Sequence, residues 1–152
     1  MFLNPTISNL SAEVFRLSNR LLATCDALVS DIGLSSARLQ VLEVMALSSV
    51  PQSVAQIARK LQLTRQAVQR LANEMASDGF VRFESIPHHR KAKVVLFTAE
   101  GRVGYANAVQ RLEPLATKLG LELTLKEVKA ATSVLKAIRH RLESEARDVM
   151  KT

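Results

Sequence analysis

Hydrophobic residues recur every three or four positions at both ends of the chain, and this spacing predicts amphipathic helices. The first helix should begin at Asn4-Pro5, since asparagine is a good N-cap and proline is favoured at the first helical position. We expect Gly33 to end it. Its apolar positions have the spacing of a helix that packs against other helices: Ile7, Leu10, Val14, Leu17, Leu21 and Leu28.

The last helix carries a matching apolar seam. Thr124-Leu-Lys-Glu127 fits a capping box, in which the threonine hydroxyl and the glutamate carboxylate satisfy amides of the first turn. Another helix is predicted from Thr98 to Gly120, with Pro114 inside it and Ala106, Val109, Leu112 and Leu119 along one side.

One small domain cannot bury both terminal seams, so we predict that together they form a dimer interface. The seam of the last helix consists of Val128, Ala131, Leu135, Ile138 and Leu142.

Two short helices joined by a tight turn are predicted in the middle of the chain. A helix that begins at Ser35 or Ser36 is expected to support them from behind. Ser53-Val-Ala-Gln56 fits a second capping box, and Gln62-Leu63 leaves room only for a turn. Thr64 is a suitable N-cap for the second helix, and Asp78-Gly79 a suitable end with Gly79 left-handed. Such a pair forms a helix-turn-helix. We expect Leu63 to fill the angle between the helices, and these positions to face inward: Val54, Ile57, Ala58, Leu61, Val68, Leu71, Ala72 and Met75.

The opposite side of the second short helix carries long polar side chains: Arg65, Gln66, Gln69 and Arg70. Arginine pairs bidentately with guanine, and glutamine with adenine, at the major-groove edge of DNA. A face of this kind is most often merely solvated. In a helix-turn-helix, however, it lies where bases are read, so we predict DNA contacts from these four residues and from Thr64 at the helix start.

A β-hairpin is predicted directly after this helix. Phe80–Glu84 and Lys93–Phe97 are rich in β-forming residues and alternate roughly between apolar and polar. The link between them is polar and basic, and Pro87 prevents it from extending the ladder. The hairpin is therefore interpreted as a wing, from which Arg90 and Lys91 reach the phosphate backbone or the minor groove.

The positive charge of the chain is concentrated on this central region. The net charge is +7, from 21 Lys and Arg against 14 Asp and Glu. Residues 53–99 contain 8 basic and 3 acidic residues, whereas residues 1–52 contain 3 and 4. An excess of this kind on a helix-turn-helix is typical of a nucleic-acid-binding surface. The hydrophobic share of 47% with only 4% aromatic residues favours a mainly α fold.

Other chemistry is not predicted. His88, His89, His140 and the single Cys25 give no recognisable metal-ligand spacing, and no convergent acid, base and nucleophile can be assembled, so we expect no enzyme activity, metal or cofactor. Cys25 is interpreted as a small apolar filler. The sequence shows neither a leader-like N-terminus nor an apolar run of membrane-spanning length, and we expect a cytoplasmic protein that does not enter a membrane.

These features resemble the MarR family of dimeric winged-helix transcription regulators. The resemblance lies in the Ala58/Leu63/Val68 spacing, in the Asp-Gly-Phe-Val run that begins at Asp78, and in Pro87-x-x-Arg90 followed by Leu96-Phe97-Thr98-x-x-Gly101. Two positions depart from the pattern. Gln62 stands where glycine is frequent, so a left-handed turn there costs about 1 kcal/mol. His89 stands where the family wing usually has an aspartate that orients the arginine.

The resemblance implies one MarR-like domain over residues 1–152, with a winged helix-turn-helix at about 36–99 and dimerisation helices at about 5–32 and 98–148. It implies a homodimer that binds double-stranded DNA at a pseudo-palindromic operator, as a repressor that responds to a small aromatic ligand. An apolar cleft for such a ligand is lined by residues such as Leu10, Val14, Met45 and Leu112, which are equally consistent with plain core. The alternative function is a winged helix used for protein interaction. An RNA-binding function is less favoured, because Phe80, Phe83 and Phe97 occupy positions that a strand buries.

Overall fold

The computed structural model of the chain describes residues 4–89 and 92–149. It has the predicted fold class, mainly α-helical with one antiparallel hairpin. Backbone contacts divide the chain into two compact units, Met1–Glu113 and Pro114–Thr152. The elements, in chain order, are α1 (Pro5–Val29), a 3-10 turn (Ser30–Ile32), α2 (Ser36–Leu47), α3 (Val54–Leu61), α4 (Arg65–Ser77), β1 (Val81–Ser85), β2 (Lys93–Phe97), α5 (Ala99–Gly120) and α6 (Leu125–Val149).

The predicted start of α1 is confirmed, and its end differs slightly. The side-chain oxygen of Asn4 accepts hydrogen bonds from the amides of Thr6 and Ile7. The α-helix ends at Val29, and a tighter 3-10 turn continues to the left-handed Gly33, whose amide donates to the Ser30 carbonyl at 3.1 Å. The tighter turn satisfies carbonyls that a helix end leaves without partners.

The core of the first unit lies between α2, α3, α4 and the hairpin. The inward positions predicted for α3 and α4 are buried, except that Leu61 is only partly so. Leu39 and Leu42 of α2 complete this core together with Val81 of β1 and Val95 of β2. The helix-turn-helix therefore has its own apolar centre, to which the hairpin is joined.

The turn between α3 and α4 adopts the predicted strained conformation. Gln62 is left-handed, with φ of 56° and ψ of 37°. Its side-chain amide donates to the Arg59 carbonyl at 3.0 Å, which satisfies one of the orphan carbonyls at the end of α3. The expectation that Leu63 fills the angle between the helices is wrong. Leu63 is 43% exposed, whereas Val68, for which the same place between the helices was expected, is fully buried.

The hairpin pairs Val81 with Phe97 at its base and Ser85 with Lys93 near its tip. The first strand begins one residue later than predicted, because Phe80 turns out of the ladder and its amide caps the Met75 carbonyl of α4. Phe80, Phe83 and Phe97 pack partly buried against the core, as expected.

Thr98 and Gly101 fix the junction between the hairpin and α5. The Thr98 hydroxyl donates to the Gly79 carbonyl at 2.5 Å and accepts from the Gly101 amide at 2.9 Å, and the Thr98 amide donates to the Phe80 carbonyl at 3.1 Å. A Cβ atom at Gly101 would lie 1.8 Å from the Phe80 carbonyl oxygen, so only glycine fits. On α5, Gly101 and Ala108 are buried. Of the predicted apolar side, Leu112 packs partly buried against the core, whereas Val109 is 49% exposed.

The terminal helices expose the apolar seams that the sequence predicts. On α1, Leu17 is 51% exposed. The predicted capping box of α6 is present, with the Thr124 amide donating to the Glu127 carboxylate at 2.8 Å and the Glu127 amide donating to the Thr124 hydroxyl at 3.2 Å. On α6, Leu135 is 42% and Leu142 is 59% exposed. Within residues 4–89 and 92–149, none of the helices combines the length and apolar character needed to span a bilayer.

Candidate nucleic-acid interface

The two faces of α4 differ in the way the sequence predicts. Val68, Ala72 and Met75 are fully buried against the core, which fixes the rotation of the helix about its axis. Thr64 caps the helix start and accepts a hydrogen bond from the Ala67 amide at 3.1 Å. The opposite face, which we call the reading face, consists of Thr64, Arg65, Gln66, Gln69 and Arg70.

The reading face borders an open depression that follows the helix. The depression has a volume of about 920 Å³, and Asn73 and Glu74 continue its lining one turn beyond Gln69 and Arg70. All five predicted residues of α4 are thus brought to one surface. The buried apolar residues fix which side of α4 faces outward. The polar side chains therefore form a row of hydrogen-bond donors and acceptors along that outer side.

A second cleft, of about 780 Å³, separates α4 from the hairpin. Arg65 and Gln69 line it from the reading face. The opposite wall includes Phe83 and Lys93 of the strands and His88 and His89 of the hairpin tip, and the first turn of α3 lies at one end with Ser53 and Ala55. Residues of the helix-turn-helix and of the wing therefore line the same cleft.

The two predicted wing residues, Arg90 and Lys91, lie outside the described residues. The described parts of the tip approach each other, since the Ile86 amide donates to the Ala92 carbonyl at 3.1 Å. His88 is left-handed, with φ of 70°, which is uncommon for a residue with a side chain. The tip therefore directs His88 and His89 toward the cleft by a specific backbone conformation.

Two reading-face side chains are held by partners one turn further along α4. The Gln69 amide nitrogen donates to the Asn73 side-chain oxygen at 2.9 Å, and the Arg70 guanidinium donates to the Glu74 carboxylate at 3.0 Å. Sequence reasoning did not include Asn73 or Glu74, although residues four apart on a helix are neighbours. It also omitted His88, His89 and Lys93 as site residues, since their approach to α4 depends on the packing of the hairpin.

Sequence comparisons match the same region. The sequence model of the MarR family matches residues 32–92, which include the helix-turn-helix and most of the wing. The uncharacterized protein Rv2011c of Mycobacterium tuberculosis is 33% identical over 100 residues, covering 66% of this chain and 68% of that protein. A counterpart from Mycobacterium bovis, Mb2034c, matches with the same identity and coverage.

Solved structures share the fold over nearly the whole chain. A MarR protein from Peptoclostridium difficile has a TM-score of 0.82 at 14% identity, covering 95% of this chain and 94% of that one. A MarR/EmrR family transcriptional regulator from Acinetobacter has a TM-score of 0.80 at 18% identity, covering 93% and 99%.

A third structure is the M. tuberculosis transcriptional regulator MosR in complex with DNA. It has a TM-score of 0.72 at 20% identity, and the match covers 87% of this chain and 96% of MosR. The chain belongs to the MarR family and has the fold of its transcriptional regulators.

Proposed function

We propose that this protein is a transcriptional regulator that binds specific double-stranded DNA as a homodimer. The observation that carries the proposal is the two-sided α4: its apolar face is fully buried in its own domain, and its Arg- and Gln-rich face borders open clefts. A helix in this position is the element that enters the major groove in winged-helix proteins. That the related fold of MosR was solved with DNA supports the same use here.

In this proposal the side chains of the reading face contact the base edges in the major groove. The arginine and glutamine side chains of this face have the donors and acceptors that distinguish guanine and adenine. In the proposed complex, Thr64 at the helix start lies close to the DNA backbone. Arg90 and Lys91 contribute charge from the wing to phosphates or to the minor groove. Lys93, His88 and His89 extend this surface, since they line the cleft opposite Arg65 and Gln69.

The homodimer is proposed from the exposed seams of α1 and α6. Leu17, Leu135 and Leu142 are each at least 42% exposed within one chain, and a second copy is the occupant that would cover them. Residues 1–152 then act as one domain, with a DNA-binding core at about 36–99 and dimerisation helices at about 5–32 and 98–148. A two-fold axis sets the two reading faces about one DNA turn apart, which requires a pseudo-palindromic operator.

Repression and control by a small aromatic ligand are proposed from family membership. Of the residues expected to line a ligand cleft, Met45 and Leu112 pack partly buried against the core, and Val14 is 39% exposed. A thermal-shift screen with aromatic acids at millimolar concentration tests this part, because a ligand that binds only the folded state raises its melting temperature. The proposal places the protein in the cytoplasm, where a bacterial regulator meets its operator.

Selection of binding sites from random duplexes is the decisive experiment for DNA recognition. We expect an enriched inverted repeat with half-sites one helical turn apart. Gln69→Ala should change the preferred base at one position of each half-site by about 1–3 kcal/mol of discrimination. Arg90→Ala, as the matched control, should weaken binding to all sequences about equally, because phosphates carry no sequence information. An unenriched pool would contradict sequence-specific binding.

A salt titration separates this function from a winged helix that binds another protein. DNA binding through phosphates weakens steeply with salt, with a log-log slope of roughly −0.9 per neutralised phosphate. Arg90→Ala removes one phosphate contact in each subunit, so it should reduce the magnitude of that slope by about 2 for the dimer. A complex that is insensitive to salt would favour protein interaction instead.

A further inference from the structure

The residue that holds Arg70 is itself held from behind. One oxygen of the Glu74 carboxylate accepts from the Arg70 guanidinium at 3.0 Å, and the other lies 3.7 Å from the guanidinium of Arg38 on α2. The Arg38 side chain is only 17% exposed, whereas that of Arg70 is 71% exposed. Glu74 thus connects an exposed reading residue to a partly buried arginine.

Arg38 is fixed by two further contacts. Its guanidinium lies 2.8 Å from the Asp78 carboxylate at the end of α4 and donates to the Gly33 carbonyl at 2.8 Å. An arginine with several partners in a partly buried site loses little additional freedom when it forms another contact. The Glu74 carboxylate thus forms an ion pair with a guanidinium that is itself held in place, in addition to its hydrogen bond with Arg70.

A parallel contact exists on the neighbouring reading residue. Gln69 donates one amide hydrogen to Asn73 at 2.9 Å, which leaves its oxygen and second hydrogen for a base. In the same way, Arg70 donates to Glu74 through Nη1 and keeps further N–H groups for a guanine edge. The two inner reading side chains are thus both oriented from the following turn of α4.

We propose that Glu74 is a positioning residue that sets the base specificity of Arg70, with Arg38 as its anchor. This inference rests on the proposed function, since it concerns how the reading face recognises DNA. Glu74 has a negative charge close to a surface that meets phosphates, which by itself opposes DNA binding. Its contribution is therefore to discrimination between sequences: it restricts Arg70 to one direction before DNA arrives.

Three substitutions of Glu74 separate reach from charge. Glu74→Gln keeps the length of the side chain and an acceptor oxygen, Glu74→Asp keeps the charge but shortens the side chain, and Glu74→Ala removes both. Operator and non-operator duplexes are titrated at one salt concentration with each full-length variant. The readouts are the ratio of the two dissociation constants and the base preferred opposite Arg70.

Positioning predicts a specific order of results. Glu74→Ala and Glu74→Asp should lower the specificity ratio roughly tenfold for each half-site, or about 100-fold for the whole operator, since each half-site loses about the discrimination of one bidentate base contact. Glu74→Gln should retain most of it. Binding to non-operator DNA should be unchanged or tighter in the Ala and Gln variants, because each removes a negative charge near the phosphates. A structural role would instead weaken both kinds of binding together.

A double-mutant cycle connects the effect to Arg70. In an Arg70→Ala background, Glu74→Asp should no longer change the ratio, because the side chain it positions is gone. Glu13→Ala is the matched control, since it removes a carboxylate from an exposed arginine pair on α1. It should leave the ratio unchanged.

Two outcomes would overturn the inference. The first is a specificity ratio that stays unchanged in both Glu74→Asp and Glu74→Ala. The second is a decrease of the specificity ratio by Glu74→Asp that is the same whether or not Arg70 is present. If Glu74→Ala does not fold, the Asp and Gln variants still decide between reach and charge. Failure of the proposed function is distinguishable, because the wild-type protein would then show no operator preference to lose.

Discussion

The reading helix α4 and the last helix α6 have the same spacing of apolar residues, yet only the first has its apolar face buried within the chain. Val68, Ala72 and Met75 on α4 are fully buried. The corresponding stripe on α6 includes Leu135 at 42% and Leu142 at 59% exposure. A three- and four-residue repeat therefore predicts that a helix has an apolar face, but not which surface covers that face.

The difference assigns the two helices to different partners. The burial of α4 inside its own domain fixes its rotation and leaves its polar face exposed for the DNA contacts proposed above. The seam of α6, like that of α1, would gain roughly half of the about 1.5–3 kcal/mol that full burial of a leucine contributes, because Leu135, Leu142 and Leu17 are 42%, 59% and 51% exposed. On the proposal that this surface is a second copy, substitutions in the two regions should differ in kind and not only in size.

The largest effect is expected from a charge placed in a seam. Leu135→Asp or Leu17→Asp would bury an unpaired carboxylate at the subunit contact, at a cost of several kcal/mol, and should give monomer or unfolded protein. DNA binding should be lost with the dimer, because linking two weak modules is what raises affinity for a two-part operator. Size-exclusion chromatography with light scattering, beside an operator titration, measures both.

Leu47→Asp is the matched control for the seam. Leu47 ends α2 and is 80% exposed, so the same substitution should leave the dimer and its DNA affinity unchanged. A folded Leu135→Asp monomer that binds the full operator at wild-type affinity would remove the proposed distinction between the two regions.

A smaller effect, confined to stability, is expected from a cavity in the core of the first unit. Leu42→Ala removes a fully buried side chain and should lower the free energy of unfolding by about 2–5 kcal/mol. Leu47→Ala on the same helix should change it by less than about 0.5 kcal/mol. Denaturant titration at several protein concentrations gives both values, and equal effects at the two positions would contradict the burial described for α2.

The sequence was sufficient for features that depend on neighbouring residues. Helix caps at Asn4, Ser53, Thr64 and Thr124 were predicted and are present, because each is a bond between a side chain and an amide two or three residues away. The second strand, Lys93–Phe97, was predicted with its observed bounds. The pattern of alternating residues is itself local.

Features that depend on distant residues were missed or wrong. Leu63 is 43% exposed although it was expected between the two helices, and the close approach of Gly101 on α5 to the Phe80 carbonyl was not predicted. The role of Glu74 depends on Arg38, which lies 36 positions earlier in the sequence. No periodicity within one helix contains this information. The assignment of bases to the reading face remains a prediction.

An effect smaller than that of the core cavity is expected at the two capping boxes, of which one begins α3 and the other begins α6. Ser53→Ala should lower the free energy of unfolding by about 1 kcal/mol, because α3 unfolds only together with the core it helps to form. Thr124→Ala removes the equivalent bond from α6. If α6 is ordered mainly by the dimer, this loss should appear as faster hydrogen exchange in the first turn of α6 and as weaker dimerisation. Equal shifts of global stability in both variants would show that the two regions unfold as one.

The smallest expected effect is a pH dependence that again differs between the regions. The hydrogen bond from the Arg111 guanidinium, aided by its charge, lowers the pKa of Asp31, and hydrogen bonds from the Thr124 hydroxyl and amide lower the pKa of Glu127. A carboxyl whose folded pKa lies below its unfolded value, about 3.9 for Asp and 4.3 for Glu, stabilises the fold above the unfolded value. That stability is lost as the pH falls through the folded pKa.

The matched variants for this effect are Asp31→Asn and Glu127→Gln, compared with wild type by urea unfolding between pH 7 and pH 3. Asp31→Asn should be less stable than wild type at neutral pH and should converge with it as the pH falls through the lowered, folded-state pKa of Asp31, because below that value Asp31 is protonated in both states. Glu127→Gln keeps an acceptor for Thr124, so its difference at neutral pH should be smaller. Because Arg111 ties α5 to the end of α1 within the first unit, the Asp31 effect should appear in global unfolding. A pH-independent deficit in Asp31→Asn would mean that the substitution acts through packing, and that the ion pair does not contribute to the stability of the first unit.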